Sequence, residues 1–198
     1  MPPSDLALAV LALLLTPGPT NSLMLLAGAE RGLAGAARLI PAELAGYLVA
    51  VIPLALIGQS VLAAWPDLRL VVTWGAAAWV AVLAVRLWRV PSVAAASLVG
   101  ARELFVTTAL NPKALIFGLV LLPSPDRLGG NLALFAALVV AVALVWAALG
   151  ARLGARIRSG FGSSGAADQP RALFLLRRLA SVFLAVMSVL LVLRGVSV

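Results

Sequence analysis

The chain has 198 residues, of which 63% are hydrophobic and 11% are charged, and its mean hydropathy is +1.12. An ordinary soluble domain is about 45–50% apolar and about 25% charged, so the composition excludes a single soluble core and predicts an all-α polytopic membrane protein. The net charge is +8, but the basic residues, all but one of them Arg, lie mostly between apolar runs. Because no polar domain carries a basic patch, nucleic acid is excluded as a partner.

Cysteine and histidine are both absent. Their absence excludes disulfides, thiol nucleophiles and imidazole bases, and it removes most zinc and haem ligands. We therefore expect neither a cofactor nor a metal ion. Residues 1–5 carry no basic group ahead of the first apolar run, so we expect that run to be retained as a span rather than removed as a signal peptide.

Six apolar runs are long enough to cross a bilayer, at about 20 residues per helix. The longest link, about 152–177, is rich in Arg, Gly and Ser and is predicted to be flexible. The sequence predicts one transmembrane domain over residues 1–198, with a first half of about 1–90 and a second half of about 100–198. The predicted spans are, in chain order, 5–27, 39–64, 68–87, 104–122, 132–151 and 179–196.

The first span is interrupted near its middle by polar and helix-breaking residues. Proline frees a carbonyl one turn earlier, glycine permits unusual backbone geometry, and hydroxyl and amide groups can satisfy the opened backbone or a ligand. An isolated proline would indicate only a kink, but two prolines flanking a glycine beside polar residues favour a functional break. The interrupting residues are Thr16, Pro17, Gly18, Pro19, Thr20 and Asn21.

The fourth span is interrupted near its middle by Asn111, Pro112 and Lys113. Lys113 lies ten residues from both Glu103 and Pro123, so about 15 Å of helix separates it from either end of the span. A lysine side chain reaches only about 6 Å by snorkelling, and leaving the charge in lipid would cost about 2.5–3.5 kcal/mol or more. We therefore expect Lys113 to face a polar interior.

The two interruptions occupy matching positions in two sets of three spans. Because three is odd, the second set enters the membrane from the opposite face, so related halves would form an inverted repeat. Paired interruptions of this kind indicate the central site of a transporter, where helix N-termini suit a carboxylate. The predicted fold is therefore two inverted three-helix repeats, with helices one and four broken, that rock around this site.

Glu43 lies five residues after Arg38, at a depth of about 7.5 Å along a helix. Two interpretations remain open for it: an interfacial carboxylate bonded to Arg38, or a proton-coupling group. We expect the small residues Gly28, Gly46 and Gly150 to permit close helix packing rather than to bind a ligand.

The segment Leu15-Thr16-Pro17-Gly18-Pro19 resembles the TPGP signature of the LysE/RhtB amino-acid exporters, although Thr20 follows where the family usually has Asn. Ala109-Leu110-Asn111-Pro112-Lys113-Ala114 is similar to that family's second signature, and the resemblance covers the whole chain and the six-span layout. It implies secondary active export of amino acids or related small zwitterionic metabolites, driven by the proton gradient or by antiport. The residues of the two breaks would then line the substrate path.

Two other classes of function remain open. A non-transporting membrane scaffold of the same fold is compatible with the departure at Thr20. An intramembrane enzyme would need a nucleophile with a base or paired acids, and Ser22 with Lys113 is the candidate pair. The expected partners are a small amino-acid-like substrate and the lipid bilayer, and a homodimer is compatible with such a compact protein.

The distribution of basic residues predicts the orientation in the plasma membrane. Eleven basic residues lie in or beside the first, third and fifth links, against three on the other side (Arg69, Arg127 and Arg194), with the intramembrane Lys113 not counted. Cytoplasmic links carry an excess of Lys and Arg, so we expect the odd-numbered links in the cytoplasm and both termini outside.

A C-terminal fusion tests this orientation. A reporter that is active only in the cytoplasm should be inactive after residue 198, and the same reporter inserted in the basic fifth link should be active. Cytoplasmic activity of the C-terminal fusion would refute the predicted topology.

Overall fold

The fold, obtained as a computed structural model, is described for residues 2–65, 67–89, 99–124, 126–160 and 169–196, which form helices and turns and no strand. A π-helical turn, Phe117–Leu121, continues the short sixth helix. The helices are α1 (Pro3–Leu15), α2 (Pro19–Ala37), α3 (Ile40–Ala64), α4 (Leu68–Arg89), α5 (Ala101–Ala109), α6 (Lys113–Ile116), α7 (Leu128–Gly160) and α8 (Gln169–Val196).

Both predicted interruptions of the helices are confirmed. Helices α1 and α2 meet at 65° across the first break, and α5 meets α6 and its π-helical turn at 52° across the second. Pro19 is the first residue of α2, a position that tolerates proline because the first N–H of a helix has no acceptor. The chain thus contains two bent helix pairs where unbroken spans would otherwise run.

The helices have the length and composition of a membrane protein. Within the described ranges, Ile40–Gly58 of α3 and Leu128–Ile157 of α7 are each long and apolar enough to cross a bilayer, and counting each bent pair as one span gives four. Large apolar side chains also remain exposed on the outer faces of α3, α4, α7 and α8, where lipid would cover them. The count of six spans stays a prediction.

Several helices are longer than the predicted spans. Helix α2 continues beyond residue 27 to Ala37, past a kink at Gly32, whose φ is +72°. Helices α7 and α8 extend into the link predicted to be flexible, whose middle, 161–168, lies outside the described residues. Arginine is a good helix former and can lay its stem along apolar surface while its charge reaches water, so basic segments continue these helices.

The helices pack mainly across the two halves of the chain, with α2 on α7, α3 on α5 and α4 on α8. Glycines allow the backbones to touch at two of these contacts, as expected. A Cβ on Gly150 would lie 1.9 Å from the carbonyl oxygen of Leu25, and one on Gly28 would lie 2.2 Å from that of Ala147. Gly46 of α3 has the same role against α5.

The close contact between α2 and α7 predicts the effect of adding one methyl group. We expect Gly150→Ala to destabilise the protein by about 1–3 kcal/mol, because the methyl group would overlap backbone that has no room to yield. The thermal midpoint in detergent should fall by about 2–4 °C for each kcal/mol. Gly129→Ala is the matched control in the same helix, since nothing lies within 4 Å of its added Cβ. Equal midpoints for the two variants would contradict the packing.

Candidate functional site

The two breaks, far apart in sequence, are in direct contact. Lys113 Nζ donates a hydrogen bond to the carbonyl oxygen of Thr16. Asn111 Nδ2 donates to Thr20 Oγ1 at 3.0 Å, and Thr108 Oγ1 lies 3.4 Å from the same hydroxyl. We refer to Thr16, Thr20, Thr108, Asn111 and Lys113 as the break contact. It joins the first half of the chain to the second.

The carbonyl groups at the end of α1 are satisfied by two side chains. Asn21 Nδ2 donates to the carbonyl oxygens of Leu14 at 2.8 Å and Thr16 at 3.0 Å. The ammonium group of Lys113 adds a second donor to Thr16. Because the C-terminal end of a helix carries partial negative charge, these donors stabilise the end of α1 at the break.

Asn111 connects the second break to the first. Its Oδ1 accepts a hydrogen bond from the backbone N–H of Lys113 at 3.0 Å, and its Nδ2 donates to Thr20. The side chain is only 4% exposed, so both ends of the amide are used within the protein. Asn111 therefore holds the start of α6 and fixes it against α2.

Gly18 makes room for the ammonium group. A Cβ built on Gly18 would lie 3.3 Å from Lys113 Nζ and 3.5 Å from Lys113 Cε. Gly18 is followed by the positive end of α2, where the first intrahelical bond runs from the N–H of Ser22 to the carbonyl of Gly18. Two backbone N–H groups, those of Thr20 and Asn21, precede that bond and have no intrahelical acceptor. An anion at this point would meet a positive helix end and an ammonium group together.

Glu43 is buried within the protein, one turn before Tyr47, which contacts Asn111. It is 3% exposed, and within the described ranges its Oε2 has no hydrogen-bond partner. Arg38 is exposed and forms no ion pair with it, so the interfacial pairing with Arg38 is not observed. The Glu43 carboxyl group and the Lys113 ammonium group do not approach within 4 Å.

Two site residues were not singled out from the sequence. Tyr47 is 1% exposed, lies one turn after Glu43, and its hydroxyl is 3.5 Å from Asn111 Nδ2. Thr108 is fully buried and also donates to the carbonyl oxygen of Leu104 at 2.8 Å. Neither residue lies in a helix break, and the helix breaks are what identified the other site residues in the sequence. Tyr47 is the sole tyrosine of the chain, and that was the available clue.

Other predicted site residues shape the backbone without adding a polar group to the contact. Pro17 is exposed, and Pro112 is only partly buried. The hydroxyl of Thr16 donates to the carbonyl oxygen of Ala12 in its own helix, so Thr16 contributes through its carbonyl alone. Ser22 Oγ donates to the carbonyl oxygen of Gly18 at 3.0 Å rather than to Lys113.

The described cavities lie away from the break contact. One of about 670 Å³ lies between α4, α5 and Leu23 of α2, with the Arg86–Glu103 ion pair in its wall. Others of about 470 and 420 Å³ both border Pro123 and Ser124. The described portion of the chain contains no cluster of acidic side chains arranged to hold a metal ion. The two breaks are packed on each other, with Thr16 exposed and Lys113 partly buried.

Comparison of the chain with protein-family models, with curated proteins and with solved structures gave no significant match.

The hydrogen bond between Thr20 and Asn111 predicts energetic coupling across the two halves. Thr20→Val and Asn111→Leu should each lower thermal stability in detergent, and the double variant should lose less than their sum. The coupling should be about 0.6–1 kcal/mol, the usual worth of such a bond inside a membrane protein. Ser22→Ala, which removes a bond within α2 only, should show no coupling to Asn111→Leu. Strict additivity of the Thr20 and Asn111 effects would refute the bond.

Proposed function

We propose that the chain is a secondary active exporter that moves amino acids or related small zwitterionic metabolites out across the plasma membrane by alternating access. The observation that carries the proposal is the break contact, in which Lys113 from one broken helix pair meets the Thr16 carbonyl of the other. Broken helices that meet inside an apolar protein are the usual construction of a transporter's central site. The resemblance of both breaks to the LysE/RhtB signatures supports membership of that family.

An inverted repeat is supported by which helices touch. The proposed repeat matches α1–α2 with α5–α6, α3 with α7, and α4 with α8. Exchanging matched helices turns the contact of α2 with α7 into that of α6 and its π-helical turn with α3. It turns the contact of α1 with α7 into that of α5 with α3, and all of these contacts are present. The contact of α4 with α8 turns into itself, and it is extensive. A structure built from two related halves would have this property.

The contacts between helices indicate which groups of helices would move together during transport. That each three-helix half rocks as a unit stays a prediction, and the packing favours a different division, because the main contacts join helices of different halves. The units supported by packing are α1, α2 and α7 on one side, and α3, α5 and α6 on the other. The hydrogen bonds between Thr20 and Asn111 and between Lys113 and Thr16 lie on the seam between these units. Alternating access would open that seam.

In the proposed mechanism, the carboxylate of the substrate replaces the Thr16 carbonyl as the acceptor for Lys113. The positive end of α2 adds to the attraction, and Gly18 leaves the space in which the exchange occurs. Glu43 is the proposed proton-coupling group, since its carboxyl group is buried one turn before Tyr47, whose hydroxyl contacts Asn111 of the second break. Export would then exchange a proton for a substrate molecule.

A non-transporting scaffold is the second candidate, and one observation favours it. The amides of Asn21 and Asn111 are engaged with partners inside the protein, as in a purely structural core. Flux separates the two candidates. Proteoliposomes containing the purified chain should accumulate at least one amino acid from a panel faster than empty vesicles, and a complete absence of flux would favour the scaffold.

The site assignment is tested by variants in the same vesicles. Lys113→Met should lower flux at least about tenfold, because a charge-assisted hydrogen bond to the substrate is lost. Gly18→Leu should also reduce flux by displacing the Lys113 side chain. Arg102→Met, at an exposed position of α5, is the matched control and should keep wild-type flux. Flux that survives in both Lys113→Met and Gly18→Leu would remove the break contact from the transport path.

A further inference from the structure

Within the described part of the chain, the buried carboxylate of Glu43 has an oxygen without a hydrogen-bond partner, whereas the other buried polar side chains near it all form hydrogen bonds. The side chains of Thr20, Asn21, Thr108 and Asn111 are each 4% exposed or less and each form hydrogen bonds. Glu43 is equally buried, yet its Oε2 has no hydrogen-bond partner in the described structure. An acceptor buried without a donor is costly. Its retention indicates that a donor arrives in another state of the protein.

The position of Glu43 indicates what that donor is. The side chain projects from α3 one turn before Tyr47, whose hydroxyl contacts Asn111 of the second break. Lys113, two residues after Asn111, is bonded to the end of α1. The Glu43 carboxyl group and the Lys113 ammonium group do not pair within 4 Å. A carboxyl group and an ammonium group that lie near one contact without pairing suit a small molecule that carries both an ammonium and a carboxylate group.

We propose that Glu43 binds the ammonium group of the transported molecule while Lys113 binds its carboxylate. Together these two poles of the site set the net charge of the ligands that it accepts. The inference rests on the proposed export function and assigns its charge selectivity to one residue. A zwitterion satisfies both poles. A carboxylate without an amine leaves Glu43 unpaired, and an amine without a carboxylate leaves Lys113 on the Thr16 carbonyl. Each of these should bind more weakly than the zwitterion.

Binding by the purified full-length chain in detergent tests the assignment. The probes are the amino acid with the highest flux and the des-amino carboxylic acid with the same side chain, titrated calorimetrically. Wild-type protein should prefer the amino acid, and Glu43→Gln should lose at least about tenfold in affinity for it. Affinity for the des-amino acid should change little, so the preference should collapse. Glu103→Gln, which alters a partly exposed carboxylate on α5, should retain the wild-type preference.

Thermal stability separates a ligand-binding role from a structural one. Glu43→Met removes an unpartnered buried acceptor without removing a bond, so the ligand-free variant should unfold at least about 2 °C above wild type. The stabilisation of wild type by added amino acid should be lost in this variant. A lower midpoint for ligand-free Glu43→Met would indicate a structural role and overturn the proposal.

The outcomes distinguish this inference from the proposed function. If wild type shows flux and Glu43→Gln keeps the wild-type preference for the amino acid, the inference is overturned and the exporter stands. If wild type binds the amino acid through Glu43 without flux, the export function fails and the binding role stands. Stabilisation by Na⁺ alone that Glu43→Gln abolishes would assign the carboxylate to a coupling ion and overturn the inference. No binding of any amino acid by wild type would overturn both.

Discussion

The carbonyl groups freed at the end of α1 need hydrogen-bond donors, and the arrangement of the site follows from that need. Asn21 supplies one donor from the same half of the chain, and Lys113 supplies another from the opposite half. The second break must therefore lie against the first. Gly18 must lack a side chain for the ammonium group to approach. A local defect in one helix thus determines how the two halves meet.

Packing across the halves supplies the rigidity that the breaks remove. Each broken pair lies along a long helix of the other half, with α2 on α7 and α5 on α3, and glycine allows both contacts to become backbone contacts. Ser181 and Ser188 of α8 add hydrogen bonds to carbonyl groups of α4, at 2.6 and 2.9 Å. The halves are interleaved, and an apolar cluster that includes Tyr47, Phe117 and Phe135 packs across the interleaved units beside the polar contact.

Much of this arrangement is predictable from local chemistry, because proline and glycine inside an apolar run violate helix rules that few interactions can offset. The breaks at Pro17–Pro19 and at Pro112, the inward position of Lys113 and the packing glycines follow from such rules. The roles of Tyr47 and Thr108 do not, because each fits its own helix and acquires a partner only through tertiary contact. Glu43 shows the same limit: its depth along the helix is predictable, but whether Arg38 turns towards it depends on packing. The helices also extend further into the basic links than predicted, since charge at a membrane surface does not terminate a helix.

The interleaved contacts have a consequence for the order in which the protein is made. The backbone partner of α2 is α7, more than a hundred residues later in the chain, and the lysine that completes the end of α1 also belongs to the second half. Until those segments emerge from the ribosome, α2 lacks its glycine contact with α7, and the end of α1 lacks its second hydrogen-bond donor. Contacts between residues so distant in sequence form late in folding. Until they form, the incompletely folded chain exposes surfaces that other molecules can bind. The packing between helices of different halves, which holds the finished protein together, is therefore missing from the nascent chain for most of its synthesis.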